Sequence, residues 1–235
     1  MLQISPPFPW LWQGQSRPSD TVLNRRRLMT LAGLAAILSA CSRKPPLATA
    51  VPAGAKVLAL GDSLTAGLGA APESSYPVVL SRLTGWNVVN AGVSGDTSAQ
   101  GLQRLPALLA EHRPALLLLC LGANDLLRRL PESAVLDNLR SACQQTRATG
   151  AQVMLIAVPR PSLSAAFTGS LTDHPLYALL ADELKLPLQR QGWAEVLADE
   201  RLSSDQIHAN AEGYAQLAQS VKATAWAVGL LARSA

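Results

Sequence analysis

Four short apolar runs, each halted by a glycine, asparagine or proline, constrain this chain's fold more than any other feature. They are Val57 to Leu60, Trp86 to Val89, Ala115 to Leu121 and Val153 to Val158. None alternates apolar with polar residues, which suits strands buried on both faces. Interleaved with them are segments of helical spacing: Tyr76 to Leu83, Thr97 to Ala110, Ser133 to Ala148 and Ala211 to Leu231. In the last, Tyr214, Leu217, Val221, Ala225, Val228 and Leu231 recur at three- and four-residue intervals, the mark of an amphipathic closing helix. Strand and helix in alternation imply right-handed βαβ crossovers. The expected fold class is therefore α/β: three layers, α/β/α, around a five-stranded, mainly parallel sheet whose fifth strand is Leu186 to Leu188. With no internal repeat, residues 56–235 read as a single domain.

Ligands of such sheets bind at the carboxyl ends of the strands. The residues there are Gly61-Asp62-Ser63-Leu64, Asn90-Ala91-Gly92-Val93-Ser94-Gly95-Asp96-Thr97-Ser98 and Gly122-Ala123-Asn124-Asp125, with Asp205-Gln206-Ile207-His208 near the end of the chain. Ser63 sits where a strand hands over to a helix, but a serine hydroxyl is inert without a base, and the base needs an acid to set its tautomer. His208 supplies the base and Asp205, three residues earlier, the acid. Gly92, whose backbone N–H can approach a reacting atom closely, and the Asn124 side-chain amide would join the Ser63 N–H in an oxyanion hole. Taken singly these residues have structural readings: Ser63 an N-cap, Gly92 a turn glycine, Asn124-Asp125 a capping pair, Asp205 and His208 surface groups. All four positions filled in one chain favour the chemistry.

The four blocks, in this order and at this spacing, resemble the SGNH (GDSL) hydrolase superfamily over Lys56 to Leu231, most of all its bacterial arylesterases and thioesterase/lysophospholipases. The resemblance implies a flavodoxin-like fold and hydrolysis of carboxylic esters, thioesters or lysophospholipids through an acyl-serine. It assigns Ser63 as nucleophile, His208 as base, Asp205 as its orienting acid, and Gly92 and Asn124 as oxyanion donors. It implies a small acyl-ester or lipid substrate, a monomer and no cofactor. The chain departs from the pattern at Ala209, where the family usually has proline, and at Gln206, where glycine is frequent.

Upstream of the domain, Arg25, Arg26 and Arg27 precede thirteen uncharged residues, Leu28 to Ala40. As a helix they reach about 20 Å, short of a ~30 Å hydrocarbon core. Residues 1–40 thus read as an export signal. Its ending, Leu38-Ser39-Ala40-Cys41, resembles a lipoprotein lipobox, which implies diacylglyceryl transfer to the Cys41 sulfur and a periplasm-facing, membrane-anchored envelope lipoprotein. Residues 41–55, with Pro45, Pro46 and Pro52, read as a tether.

The net charge of +4 belongs largely to that leader. From Cys41 onward 16 bases face 15 acids, with no basic run, so a nucleic-acid partner is not expected. Single, scattered His112, His174 and His208 make no metal-ligand spacing. Gly67-x-Gly69 lacks the third glycine of a dinucleotide loop. Cys120 and Cys143 have no Cys-x-x-Cys partner and are expected as two buried thiols, a disulfide between them remaining open. Two other functions stand beside this one: an acyltransferase delivering the acyl group to a sugar or glycan hydroxyl, which the same residues would serve, and a non-catalytic envelope lipoprotein, which predicts a missing nucleophile or base where Ser63 and His208 are both present. Ser94 is the rival nucleophile, without the G-x-S-x-G elbow.

Overall fold

The computed structural model describes residues 48–160 and 171–232. The expected export signal (1–40), the expected lipidation site Cys41 and the first part of the expected tether lie outside these residues. The strands are β1 (Lys56–Gly61), β2 (Asn87–Gly92), β3 (Leu116–Cys120), β4 (Gln152–Ile156) and β5 (Leu188–Gln189). They form one sheet in the order β2-β1-β3-β4-β5, every neighbouring pair parallel. The order reverses at β1, where the chain first adds β2 on one side and then crosses to β3 on the other. In an open parallel sheet that is where a crevice forms.

The helices are α1 (Ser63–Ala66), α2 (Tyr76–Thr84), α3 (Ser98–His112), α4 (Ala123–Leu127), α5 (Glu132–Ala148), α6 (Pro175–Leu184), α7 (Gly192–Ala198) and α8 (Ala211–Val228). One layer groups α8 with α2 and α7, the other groups α3, α5 and α6. The expected three-layer architecture is the observed one. Val57 to Leu60, Leu116 to Leu119 and Val153 to Ile156 are all buried, because β1, β3 and β4 have strand neighbours on both sides and helices on both faces. Trp193 anchors the α8 layer, edge-on to Tyr76 at 6.3 Å and to Tyr214 at 5.7 Å.

Local chemistry explains where elements stop. Thr97 and Gln100 form a capping box, so α3 starts one residue after the apolar pattern does. The closing helix ends at Val228, three residues short of its apolar pattern, because Gly229 (φ 89°) turns the chain left-handed. Leu231 then pairs with Val51. The edge strand β2 departs from expectation: it runs on through Asn90-Ala91-Gly92, and most of its residues are half-buried or exposed. The fifth strand is two residues long, Leu188–Gln189, beginning where the expected Leu186 to Leu188 run ends. Helix α6 was not predicted, although Tyr177, Leu180 and Ala181 bury one face of it. Cys120 and Cys143 are unbonded and buried, and burial pushes the Cys143 thiol up to about 12.

Candidate active site

The sheet register brings the sequence blocks together. Gly61, the last residue of β1, is level with Gly92 of β2 and with Cys120 of β3, so Ser63, Gly92 and Asn124 emerge at one edge. Asp62 accepts the Leu64 N–H at 3.0 Å and opens the single-turn helix α1. Ser63 is thereby the first helical residue, where a backbone N–H has no intrahelical acceptor. Gly67 (φ 97°) ends the turn.

The opposite wall is the loop before α8. Asp205 Oδ1 accepts the N–H groups of Ile207 and His208, each at 2.8 Å. The same carboxylate faces His208 Nδ1 at 2.8 and 3.0 Å, which places the imidazole proton on Nδ1. His208 Nε2 is then left as acceptor for the Ser63 hydroxyl at 3.0 Å. The three groups make one directed hydrogen-bond chain across 145 residues of sequence. Partial desolvation works against the Asp205 carboxylate, but the Ile207 amide, the imidazole and the His208 amide together hold it below its ordinary range, so it stays ionised. Ser94 is exposed, and the His208 ring is committed to Ser63.

Ala209 follows His208 without loosening this loop. It is buried and pairs with Ser203, while Ser204 N–H donates to the His208 carbonyl at 2.9 Å. Asn210 caps α8 through the Gly213 N–H at 3.0 Å, and its Nδ2 donates to the Arg201 carbonyl at 2.7 Å. Tyr214 closes the gap between the walls by donating to the Leu68 carbonyl at 2.7 Å.

Asn124 is held side-on rather than left free. Its Nδ2 donates to the Asp96 carbonyl at 3.0 Å and to Asp62 Oδ2 at 3.3 Å. Asp96 is in turn fixed by Arg104, whose Nε donates to Oδ2 at 2.7 Å and whose Nη2 reaches the Gly61 carbonyl at 3.0 Å. Asp125 accepts both the Ser98 N–H and its hydroxyl at 2.7 Å, tying α4 to the start of α3. Burial raises Asp62 to about 7, helped by the nearby Asp125 and Asp96 and opposed by the Leu64 amide. Asp62, Asp96 and Arg104 are thus positioning groups that sequence reasoning missed. Asp62 and Asp96 stand in the Gly-Asp-Ser and Ser-Gly-Asp-Thr stretches, but their partner Asn124 lies 62 and 28 residues away.

Gly92 packs on α1: a Cβ there would collide with Ala66 N and the Thr65 carbonyl carbon, so no side chain fits. Its N–H donates to Asn90 Oδ1 at 3.0 Å and is therefore occupied in this structure. An oxyanion using Gly92 would share or displace that acceptor. Among the described residues no group of three His, Cys, Asp or Glu side chains is placed to hold a metal ion.

Comparison with known proteins follows the same residues. A family model described as GDSL-like Lipase/Acylhydrolase matches residues 59–216. The chain is 42% identical over 120 residues to Esterase TesA of Pseudomonas aeruginosa, covering 49% of this chain and 60% of that esterase's length. It is 37% identical over 164 residues to thioesterase 1/protease 1/lysophospholipase L1 of Escherichia coli K12, covering 66% of this chain and 75% of that protein. Among solved structures, the crystal structure of TesA matches with a TM-score of 0.66 and 33% identity, over 74% of this chain and 99% of that one.

Proposed function

This chain belongs to the GDSL-like lipase/acylhydrolase family, and on that premise we propose that it hydrolyses carboxylic esters or thioesters, lysophospholipids included, through an acyl-Ser63 intermediate. The observation that carries the reading is the unbroken chain Ser63–His208–Asp205 at 3.0 and 2.8 Å. In the first step Nε2 of His208 takes the Ser63 proton as Oγ bonds to the acyl carbon. The carbonyl oxygen gains negative charge and is met by the Ser63 N–H, by the Gly92 N–H as it gives up Asn90 Oδ1, and by the Asn124 amide as it gives up the longer bond to Asp62 Oδ2. The imidazolium, stabilised by the ionised Asp205, returns its proton to the leaving alcohol or thiol. Water then repeats the sequence against the acyl-serine, with the same base and the same donors.

The rim supports an apolar acyl group. Of the seven large exposed hydrophobics among the described residues, five lie within the blocks that form the site or shortly after them in the chain: Val93 and Ile207 within, Leu68, Leu127 and Leu130 after. A p-nitrophenyl ester panel of increasing acyl length tests this directly, with activity expected across the panel and kcat/KM rising beyond acetate. No turnover on any member would overturn the hydrolase reading.

Asn124→Ala is expected to lower kcat by about 10²–10³ with KM nearly unchanged, because its amide meets charge that develops only in the transition state. Steady-state kinetics on one ester decide it: a change confined to KM would reassign Asn124 to substrate binding.

The proposal extends to place. Cys41, after thirteen uncharged residues, would carry a diacylglyceryl group and hold the enzyme at the periplasmic face of an envelope membrane. Two or more acyl chains suffice for stable anchoring. Cys41→Ser is expected to move the protein from the carbonate-washed membrane pellet to the soluble fraction. A variant still in the pellet would contradict lipidation as the anchor.

A further inference from the structure

We infer that the amino-terminal edge of the sheet, opposite the catalytic edge, is a surface that docks on an anionic lipid bilayer and turns the active site away from it. The inference rests on the reading of Cys41 as the anchor for its orientation, and on the charge of this edge for its affinity.

The charge follows the topology. Each of the five strands is entered past one exposed base: Lys56 at the start of β1, Arg82 before β2, Arg113 before β3, Arg147 before β4 and Lys185 before β5. A parallel sheet puts all five entries on one edge. Cations at helix C-termini offset the helix dipole, and here that placement gathers four of them, Arg82, Arg113, Arg147 and Lys185, on one side of the molecule beside Lys56. The acids of that edge are Glu111, Asp182 and Glu183, the last already held by Arg140 at 2.7 and 2.9 Å. Trp226, 51% exposed in the last turn of α8, stands at the same end. Indole rings of this kind suit the headgroup level of a bilayer.

The chain also enters here. Thr49 exchanges two 2.8 Å hydrogen bonds with the side chain of Gln152, the first residue of β4. Val51 N–H donates to the Leu230 carbonyl at 2.8 Å, and the Val51 carbonyl accepts from the Trp86 indole at 3.0 Å. Ala48 lines a shallow cavity together with Arg147 and Lys185. Six residues lie between Cys41 and Ala48, a link of at most about 25 Å from Cα to Cα when fully extended. A domain of this size is roughly 40 Å across, so the link is too short to lay the catalytic edge on the bilayer that holds Cys41. Each base near an anionic surface adds roughly a fivefold gain in partitioning. Substrate would then reach Ser63 from the aqueous side, as monomers or from a facing surface.

The test uses the full chain in phosphatidylcholine vesicles with and without phosphatidylglycerol, doped with headgroup-spin-labelled lipid. One fluorophore is placed through Ala148→Cys at the amino-terminal edge, another through Ala71→Cys at the catalytic edge; Cys120 and Cys143 are buried and remain unlabelled. Quenching at position 148 is expected to exceed that at 71 by threefold or more in the anionic vesicles. The excess should fall by half or more in Arg113→Gln/Arg147→Gln/Lys185→Gln, whose turnover of a soluble ester stays unchanged. Equal quenching at the two positions, stronger quenching at 71, or an excess insensitive to the triple variant would each overturn the inference. The mass of the Cys41 peptide separates the two readings. A chain without the diacylglyceryl group that keeps the excess refutes the anchor alone, whereas an acylated chain with the excess inverted refutes the surface alone. An unacylated chain indifferent to anionic vesicles refutes both.

Discussion

Ser63→Ala and His208→Ala are each expected to lower kcat by about 10⁴–10⁶-fold, with the double variant scarcely slower than either single one. The non-additivity is the informative part. Ser63 donates to Nε2 at 3.0 Å, its one side-chain hydrogen bond among the described residues, so removing either partner leaves the other without a function. What survives is substrate binding and whatever the Ser63 and Gly92 amides and Asn124 do for a direct attack by water. Ser63 is half-buried and loses only its hydroxyl, and although His208→Ala removes a buried imidazole, its loop keeps its ties through Ser204 and Asn210. Thermal unfolding should therefore shift little while single-turnover kinetics collapse. Two losses that multiply would mean that the serine and the imidazole act in separate steps.

Asp205→Asn is expected to cost about 10³–10⁴ in kcat with the loop intact. The asparagine carbonyl can still accept the Ile207 and His208 N–H groups that Oδ1 now holds at 2.8 Å. Its NH₂ would then face Nδ1, where Oδ2 sits at 2.8 Å. A donor facing Nδ1 drives the imidazole proton to Nε2, which removes the acceptor that Ser63 needs. Parallel measurement of kcat and of the circular dichroism melt checks both halves: a near-wild-type rate would show that Asp205 is not required to orient the base.

The sequence was most legible where burial is complete. β1, β3 and β4 stand out as apolar runs because both faces of each are covered, and the residues just beyond them could be read as a set without knowing the sheet order. β2 was harder because it lies at an edge: Asn87 and Asn90 are exposed, so the strand carries no apolar signature past Val89 and Gly92 belongs to it rather than to a following turn. The two-residue β5 and the one-turn helices α1 and α4 are too short for any periodicity to register. Helix α6 had a readable signal in Pro175 at its first turn and in Tyr177, Leu180 and Ala181, but it follows a polar, proline-containing stretch that reads as loop.

In the site, sequence identified the reacting groups and missed what positions them. Ser63, His208 and Asp205 carry distinctive chemistry, and the His208–Asp205 contact is local. Asn124, by contrast, depends on the Asp96 carbonyl and on Asp62, and Asp96 depends on Arg104 of α3. Those contacts arise only once β1, β2 and β3 are in register. The Asn90 side chain on the Gly92 N–H is local, but it depends on a rotamer that no sequence pattern specifies.

The central claim is that Ser63 is the group that becomes acylated. It is tested most directly by exposing the active protein to an alkyl phosphonate ester carrying a good leaving group, digesting it and locating the adduct by tandem mass spectrometry. The account predicts one phosphonyl group per chain, on the peptide containing Gly61-Asp62-Ser63, with stoichiometric loss of esterase activity and no labelling of His208→Ala. An adduct on Ser94, or an unlabelled enzyme that remains active, would contradict it.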